Sequence, residues 1–258
     1  MSVPGATPFT RLGRLALLLA LVLPQALVLA ADEIRVAVAS NFRPALAVVA
    51  ERFQQRSGHE VVLIPGSTGK HYAQILNGAP FDAFFAADAE RPQRLEEEGR
   101  SVPGSRFTYA VGRLVLWSPD AGLVDADGEV LKSDAFRHLA IANPQLAPYG
   151  AAARSVLQAL GLWEALTPRL VRGENIAQTF QFVISGNAQL GFVARSQLEA
   201  PGQEFGGSSW LPPPQIYPPI EQQAVLLRDS PAGRTFMTFM QGEEARAIVR
   251  AYGYDSPP

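Results

Sequence analysis

EVVLIPGSTGKHYAQILNGAPFDAFFAA, residues 60–87, decides how this chain folds. EVVLI and DAFFAA are near-continuous apolar runs rather than alternating ones, which is how strands covered on both faces read. HYAQILNG between them has helical spacing and stops at Gly78. Strand, glycine loop, helix and strand in so short a stretch form a βαβ unit, which places its strands parallel in one sheet. The pattern repeats outward. Strand-like runs are IRVAVA (34–39), FTYAVGRLVLW (107–117), HLAIA (138–142), LGFVA (190–194) and QAVLL (223–227), with a short RLVRG at 169–173. Helical patterns follow as ALAVVAERFQQRSG, RPQRLEEEG, YGAAARSVLQALG and AQTFQFVISG, and a helical tail runs from about Ala232 to Ala251. The expected class is α/β, with mostly parallel sheets flanked by helices. EFGGSSWLPPPQIYPPI (204–220) reads as a proline-rich connector that cannot be a central strand.

The first thirty residues have a different character. Arg11 and Arg14 precede LALLLALVLPQALVLA, followed by Ala31, Asp32 and Glu33. A charged, then apolar, then small-residue order is that of a secretory signal, expected to be cleaved after Ala30 or Ala31. Pro24 and Gln25 interrupt the apolar run and argue against a full membrane span. Without residues 1–30 the chain has 20 basic and 24 acidic side chains, so the formal balance moves from −2 to −4. A mildly acidic protein lacks the basic face that nucleic acid requires. The absence of cysteine rules out disulfides, zinc–thiolate sites, iron–sulfur clusters and a lipid-anchoring cysteine.

In open α/β sheets ligands sit beyond the carboxyl ends of strands, where helices begin. Ser40 and Asn41 follow the first strand, and Gly66-Ser67-Thr68-Gly69 the second. Pro148, Tyr149 and Gly150 open a helix after HLAIA, and Glu174, Asn175 and Ile176 open another after RLVRG. Helix N-termini present unpaired N–H groups and partial positive charge to anions. GSTGK is not a Walker loop, because Ile64 stands where the first glycine belongs and His71 where the hydroxyl belongs. Nor is it a G-x-S-x-G elbow, since Ser67 directly follows Gly66. His59, His71 and His138 show no metal spacing and read as surface or strand-edge residues; Lys70 reads as solvated. A plain helix N-cap remains the simplest reading of Ser67-Thr68; four such junctions together favour a ligand.

VAVASNF, GSTGKHYAQILNGAPFDAFFAADAERPQRLEEEG, GSRFTYAVGRLVLWS, IANPQLAPYG, GENIAQ, LGFVA and AYGY, in that order, resemble the periplasmic molybdate-binding proteins of molybdate ABC transporters. The resemblance implies a type II periplasmic-binding-protein fold: two lobes, each a mostly parallel sheet flanked by helices, with a ligand cleft between them. Residues 1–30 would be the signal peptide, 32–112 plus 221–258 the first, discontinuous lobe, and 113–220 the second. It implies capture of molybdate or tungstate, with no other metal and no cofactor, and delivery to an inner-membrane ABC permease. A periplasmic monomer is expected. Carried over by position, Ser40, Asn41, Thr68, Tyr149 and Ile176 would hold the oxyanion, with Ser67, Gly69 and Asn175 as secondary candidates. Some members place a tyrosine where this chain has Ala194, so the phenolic donor stays open.

Neutral donors suit such a ligand, because hydrogen bonds to an ionised partner are roughly twice as strong as neutral ones. Rivals of three classes stand beside this reading: a different solute, an enzyme, and a fold that has lost its ligand. Sulfate or phosphate could use the same donors. An enzyme would use Asp82, Asp88 and Glu90 as an acid cluster. A ferric site would want more than the one tyrosine these loops offer, and a fold that had lost its ligand would not need Ser40, Thr68 and Tyr149.

Overall fold

The structure is a computed structural model that describes residues 1–2 and 31–257. The expected signal segment, apart from Met1 and Ser2, and the last residue of the expected first lobe lie outside the described residues. Residues 31–257 carry β1 (Glu33–Ala39), α1 (Arg43–Ser57), β2 (Glu60–Gly66), α2 (Thr68–Leu76), β3 (Ala83–Phe85), α3 (Glu90–Glu97) and β4 (Phe107–Gly112). There follow β5 (Leu114–Ser118), β6 (Leu139–Ala142), α4 (Pro148–Ala159), α5 (Trp163–Leu166), β7 (Leu170–Gly173), α6 (Ile176–Ile184), β8 (Leu190–Ala194) and α7 (Arg195–Leu198). The chain closes with β9 (Ser208–Trp210), β10 (Ile220–Leu226), α8 (Pro231–Met240) and α9 (Glu243–Ala251).

The strands form two five-stranded sheets, ordered β2-β1-β3-β10-β4 and β7-β6-β8-β5-β9. β2, β1 and β3 are parallel, in the register Val36↔Leu63 and Ala37↔Phe84, as the βαβ pattern requires. β10 returns late in the chain and inserts antiparallel between β3 and β4. In the second sheet β7, β6 and β8 are parallel, and β5 and β9 complete it antiparallel. Both sheets are therefore mixed, with a parallel core and antiparallel returns.

Strand alternation distributes the core. In β3, Ala83 and Phe85 enter a cluster with Phe42, Phe53 and Phe236, while Phe84 faces the opposite side with Phe81 and Leu95. In β5, Leu114 and Leu116 join Ile141, Val156 and Phe192, while Val115 and Trp117 pack with Phe180 and Val183. This double-sided burial explains the unbroken apolar runs.

Four sequence expectations are refined. FTYAVGRLVLW is two strands, because the chain leaves the first sheet after Gly112 and enters the second at Leu114. The tail is two helices, separated at Gln241-Gly242. The proline-rich connector contains β9, which pairs only with β5 at a sheet edge, where neighbouring prolines cost no ladder bonds. His71 is buried at 2% exposure beneath Gly66, and burial lowers its pKa. His59 and His138 are half-buried.

Phe42 anchors the loop that leaves β1. It is fully buried, with its ring centroid 4.3 Å from that of Tyr109, 5.5 Å from that of Tyr254 and 6.1 Å from that of Phe85. Phe42→Ala should lower unfolding free energy by about 3–5 kcal/mol, read from urea unfolding, because the cavity left among three aromatic rings cannot collapse.

Candidate functional site

Four chain segments converge between the sheets. β1 ends at Ala39, and Ser40 N–H donates to Gly66 O at 2.9 Å, fastening the ends of β1 and β2 together. Ser67 occupies the N-cap position of α2 with extended backbone, φ −83° and ψ 145°. It does not act as a cap: its hydroxyl makes no capping bond and, at 3% exposure, has no hydrogen-bond partner at all. Asn175 and Ser230 show the ordinary alternative, accepting from Gln178 N at 3.0 Å and Gly233 N at 3.1 Å. The reading of GSTGK as a plain helix cap is therefore overturned. A buried hydroxyl left unpaired costs about 1–3 kcal/mol, so this one is available to a polar guest or a water.

Thr68, almost fully buried, accepts from Ala87 N–H at 3.0 Å, which pins the start of α2 to the end of β3 and leaves its O–H to donate. α4 starts with Pro148, whose fixed φ suits a first helical turn. Gly150 lets that helix sit on the end of β6, since a Cβ there would fall 2.2 Å from Ala142 O. Tyr149 N–H and Ile176 N–H, in the first turns of α4 and α6, have no backbone acceptor. Ala177 N–H donates to Ser40 Oγ at 3.3 Å, joining α6 to the loop after β1.

Ser40, Asn41, Ser67, Thr68, Tyr149, Asn175 and Ile176 all line one small cavity, together with Ala39, Gly66, Ala87, Ala147 and Pro148. The walls leave only about 10 Å³ open, far below the roughly 300–1,000 Å³ of pockets that take drug-sized organic ligands. No charged side chain lies on its wall. The N-termini of α2, α4 and α6 line it instead, each contributing partial positive charge. Asn41 Oδ1 is also buried without a partner.

Gly69 does not belong with these residues. Its N–H donates across the cleft to Leu146 O at 2.8 Å, and a Cβ would fall 3.0 Å from Leu146 Cα and O, so it closes the cleft rather than lining it. The Asn175 side-chain oxygen is committed to its cap. The phenol of Tyr149 accepts from Gln222 Nε2 at 3.2 Å. Ala87 and Ala177 carried no sequence signal, because each acts through its main chain. Gln222 did carry one, as part of a glutamine pair entering an apolar strand.

The acids once considered for catalysis do not converge. Asp82 accepts from Arg35 N–H at 2.8 Å and Arg228 Nε at 2.6 Å, Asp88 pairs with Arg91, and Glu90 pairs with Arg94 at 2.5 Å. Among the described residues no group of three His, Cys, Asp or Glu could hold a metal ion. Lys70 is exposed and lies 3.5 Å from Glu174 across the cleft mouth. A larger groove of about 280 Å³ adjoins the cavity, lined by Glu90 and by the paired Asp88 and Arg91.

The sequence profile described as bacterial extracellular solute-binding protein matches residues 34–255. The chain is 52% identical over 227 residues to the molybdate-binding protein ModA of Azotobacter vinelandii, covering 87% of this chain and 90% of that one. It is 49% identical over 239 residues to ModA of Rhodobacter capsulatus, covering 92% and 93%. The structure of the Azotobacter vinelandii periplasmic molybdate-binding protein superposes with a TM-score of 0.84 at 45% identity, covering 87% of this chain and all of that one.

Ser67→Ala separates a cap from a ligand donor. Loss of a capping serine would cost about 1 kcal/mol. Because this hydroxyl is buried and unpartnered, the variant without added anion should be as stable as the parent or gain up to about 1 kcal/mol in urea unfolding.

Proposed function

The chain belongs to the bacterial extracellular solute-binding protein family, and from that premise we propose that it captures molybdate or tungstate in the cavity between its sheets and delivers it to an ABC permease. The observation that carries the proposal is the Ser67 hydroxyl, buried without a partner on a wall that has no charged side chain. Ser40 and Thr68 donate their hydroxyl protons, and Ser67 adds a third. Asn41, Tyr149 and Ile176 donate main-chain N–H groups. The relatives most similar in sequence are named for molybdate, and they are solute-binding proteins rather than enzymes.

Neutral donors hold a dianion tightly because each bond is charge-assisted. The wall carries no carboxylate to repel it. Sulfate and phosphate have the same shape but shorter bonds to the central atom, so a cage set for the larger ion grips them poorly. Residues 32–112 plus 221–258 form one lobe and 113–220 the other, and the anion draws them together because only the closed arrangement makes bonds from both. Residues 1–30 direct export to the periplasm, where the protein acts as a monomer without a cofactor. Among the described residues no helix is long and apolar enough to cross a membrane.

Thermal or urea unfolding with added anions tests the assignment. Molybdate or tungstate at a hundred times its dissociation constant should add about 2.7 kcal/mol, whereas sulfate and phosphate at the same concentration should add nothing measurable. A response to sulfate or phosphate alone would keep the cleft and change the solute. Ser40→Ala combined with Thr68→Ala should abolish most of the molybdate response in a protein that still folds; undiminished affinity would move the site elsewhere.

A further inference from the structure

Behind the cavity lies a buried polar network that the ligand reading does not use. Gln222 is completely buried on β10, the strand by which the chain re-enters the first sheet, at the irregularity between Gln222 and Gln223. Its Oε1 accepts from Asn41 Nδ2 at 2.8 Å and from Tyr109 Oη at 3.1 Å. Its Nε2 donates to Tyr149 Oη at 3.2 Å. Asn41 Nδ2 also donates to Tyr254 Oη at 3.0 Å, and Tyr254 Oη lies 2.9 Å from the Asn41 main-chain oxygen. One amide thus touches a residue from each side of the cavity: Asn41 in the loop after β1, and Tyr149 in the first turn of α4.

We infer that Gln222 is a positioning residue for the anion site, its amide holding Asn41 and Tyr149 at a fixed spacing across the point where the chain passes between sheets. This rests on the anion-binding reading of the cleft. Three features carry it. The amide supplies what each end needs, an acceptor for Asn41 and a donor for Tyr149, and few side chains offer both in one plane. The space is shaped for it: a Cβ at Gly112 would lie 2.2 Å from Tyr149 Oη and 2.6 Å from Gln222 Nε2, so the departing strand must be glycine there. Finally, the titratable groups around the amide are Tyr109, Tyr149 and Tyr254, all fully buried phenols whose pKa burial pushes up, so its surroundings keep one protonation state through the working range. Fixing both neighbours before the guest arrives lowers the ordering cost of binding.

Two variants of the full mature chain test this, with molybdate affinity measured by calorimetry. Gln222→Met keeps the volume and removes both bonds, and should weaken molybdate binding by about tenfold to a hundredfold. That loss alone could come from disturbed packing, so Gln222→Glu supplies the deciding measurement. A protonated carboxyl has one O–H and one C=O, like the amide; a carboxylate only accepts, so the Tyr149 O–H would have to turn and donate to it. Burial raises the pKa of such a carboxyl. The Glu variant should therefore approach wild-type affinity at about pH 5 and fall progressively behind it towards about pH 8.5, with wild type measured in parallel at each pH. A wild-type-to-Glu ratio that does not change with pH, or a Met variant that binds as tightly as wild type, overturns the inference while leaving the cleft assignment intact. A wild-type protein that binds none of molybdate, tungstate, sulfate or phosphate removes the cleft assignment and this inference together.

Discussion

Burying a divalent anion with no countercharge demands hydrogen-bond donors that the protein itself does not consume. Helix starts are where a fold has such donors to offer, because the first N–H groups of every helix lack an internal acceptor. This chain places the starts of α2, α4 and α6, with the loop that leads into α1, around a single small cavity. Two sheets of like construction achieve that without special loops. In each, parallel strands end at the cleft and hand the chain to a helix that begins there. The hydroxyls of Ser40 and Thr68 follow the same logic. Each accepts a main-chain N–H from a neighbouring segment, so its own proton is turned away from the backbone.

Neutral and ionic contacts both span the cleft. Gly69 N–H meets Leu146 O at 2.8 Å, Ala177 N–H meets Ser40 Oγ at 3.3 Å, Gln222 Nε2 meets Tyr149 Oη at 3.2 Å and Arg91 Nη2 meets Gln145 O at 3.3 Å, and Asp255 pairs with Arg113 and Arg195. A typical hydrogen bond contributes only about 0.5–1.5 kcal/mol net. The Lys70–Glu174 pair is more than half exposed at both ends, where ion pairs contribute little. On the proposed reading, a guest that bonds to both walls adds interactions available only in a closed arrangement, and it can shift the balance by that difference and no more.

Sequence patterns made the sheets legible because both faces of each are covered, which turns strands into apolar runs that stand out from the helices. The junctions were legible because hydroxyls, amides and glycines follow those runs. The parts that were not legible depend on distant segments. FTYAVGRLVLW looks like one strand because nothing local records that Tyr149 occupies the space beside Gly112 and that the chain changes sheets there. Ser67 looks like a cap because capping is decided by where the hydroxyl turns, which composition does not encode. Gly69 looks like a loop donor until Leu146, far along the chain, takes its N–H. His71 reads as polar surface, yet it lies beneath Gly66, a position set by the packing of α2 on β1 and β2.

The charged residues near the cleft strengthen the case for a neutral cage. Three cations close by have an acidic partner: Arg91 with Asp88, Lys70 with Glu174, and Arg113 with Asp255. An unpaired arginine on the wall would attract every small dianion, because its charge acts at a distance and is indifferent to bond length. Pairing these cations cancels most of that long-range field and leaves discrimination to contacts that depend steeply on distance and angle. A wall of hydroxyls and main-chain N–H groups would then distinguish anions by size. The same wall would be a poor device for gathering anions at low selectivity. On this argument the absence of charge from the cavity is what allows one tetrahedral ion to be chosen among several of equal charge.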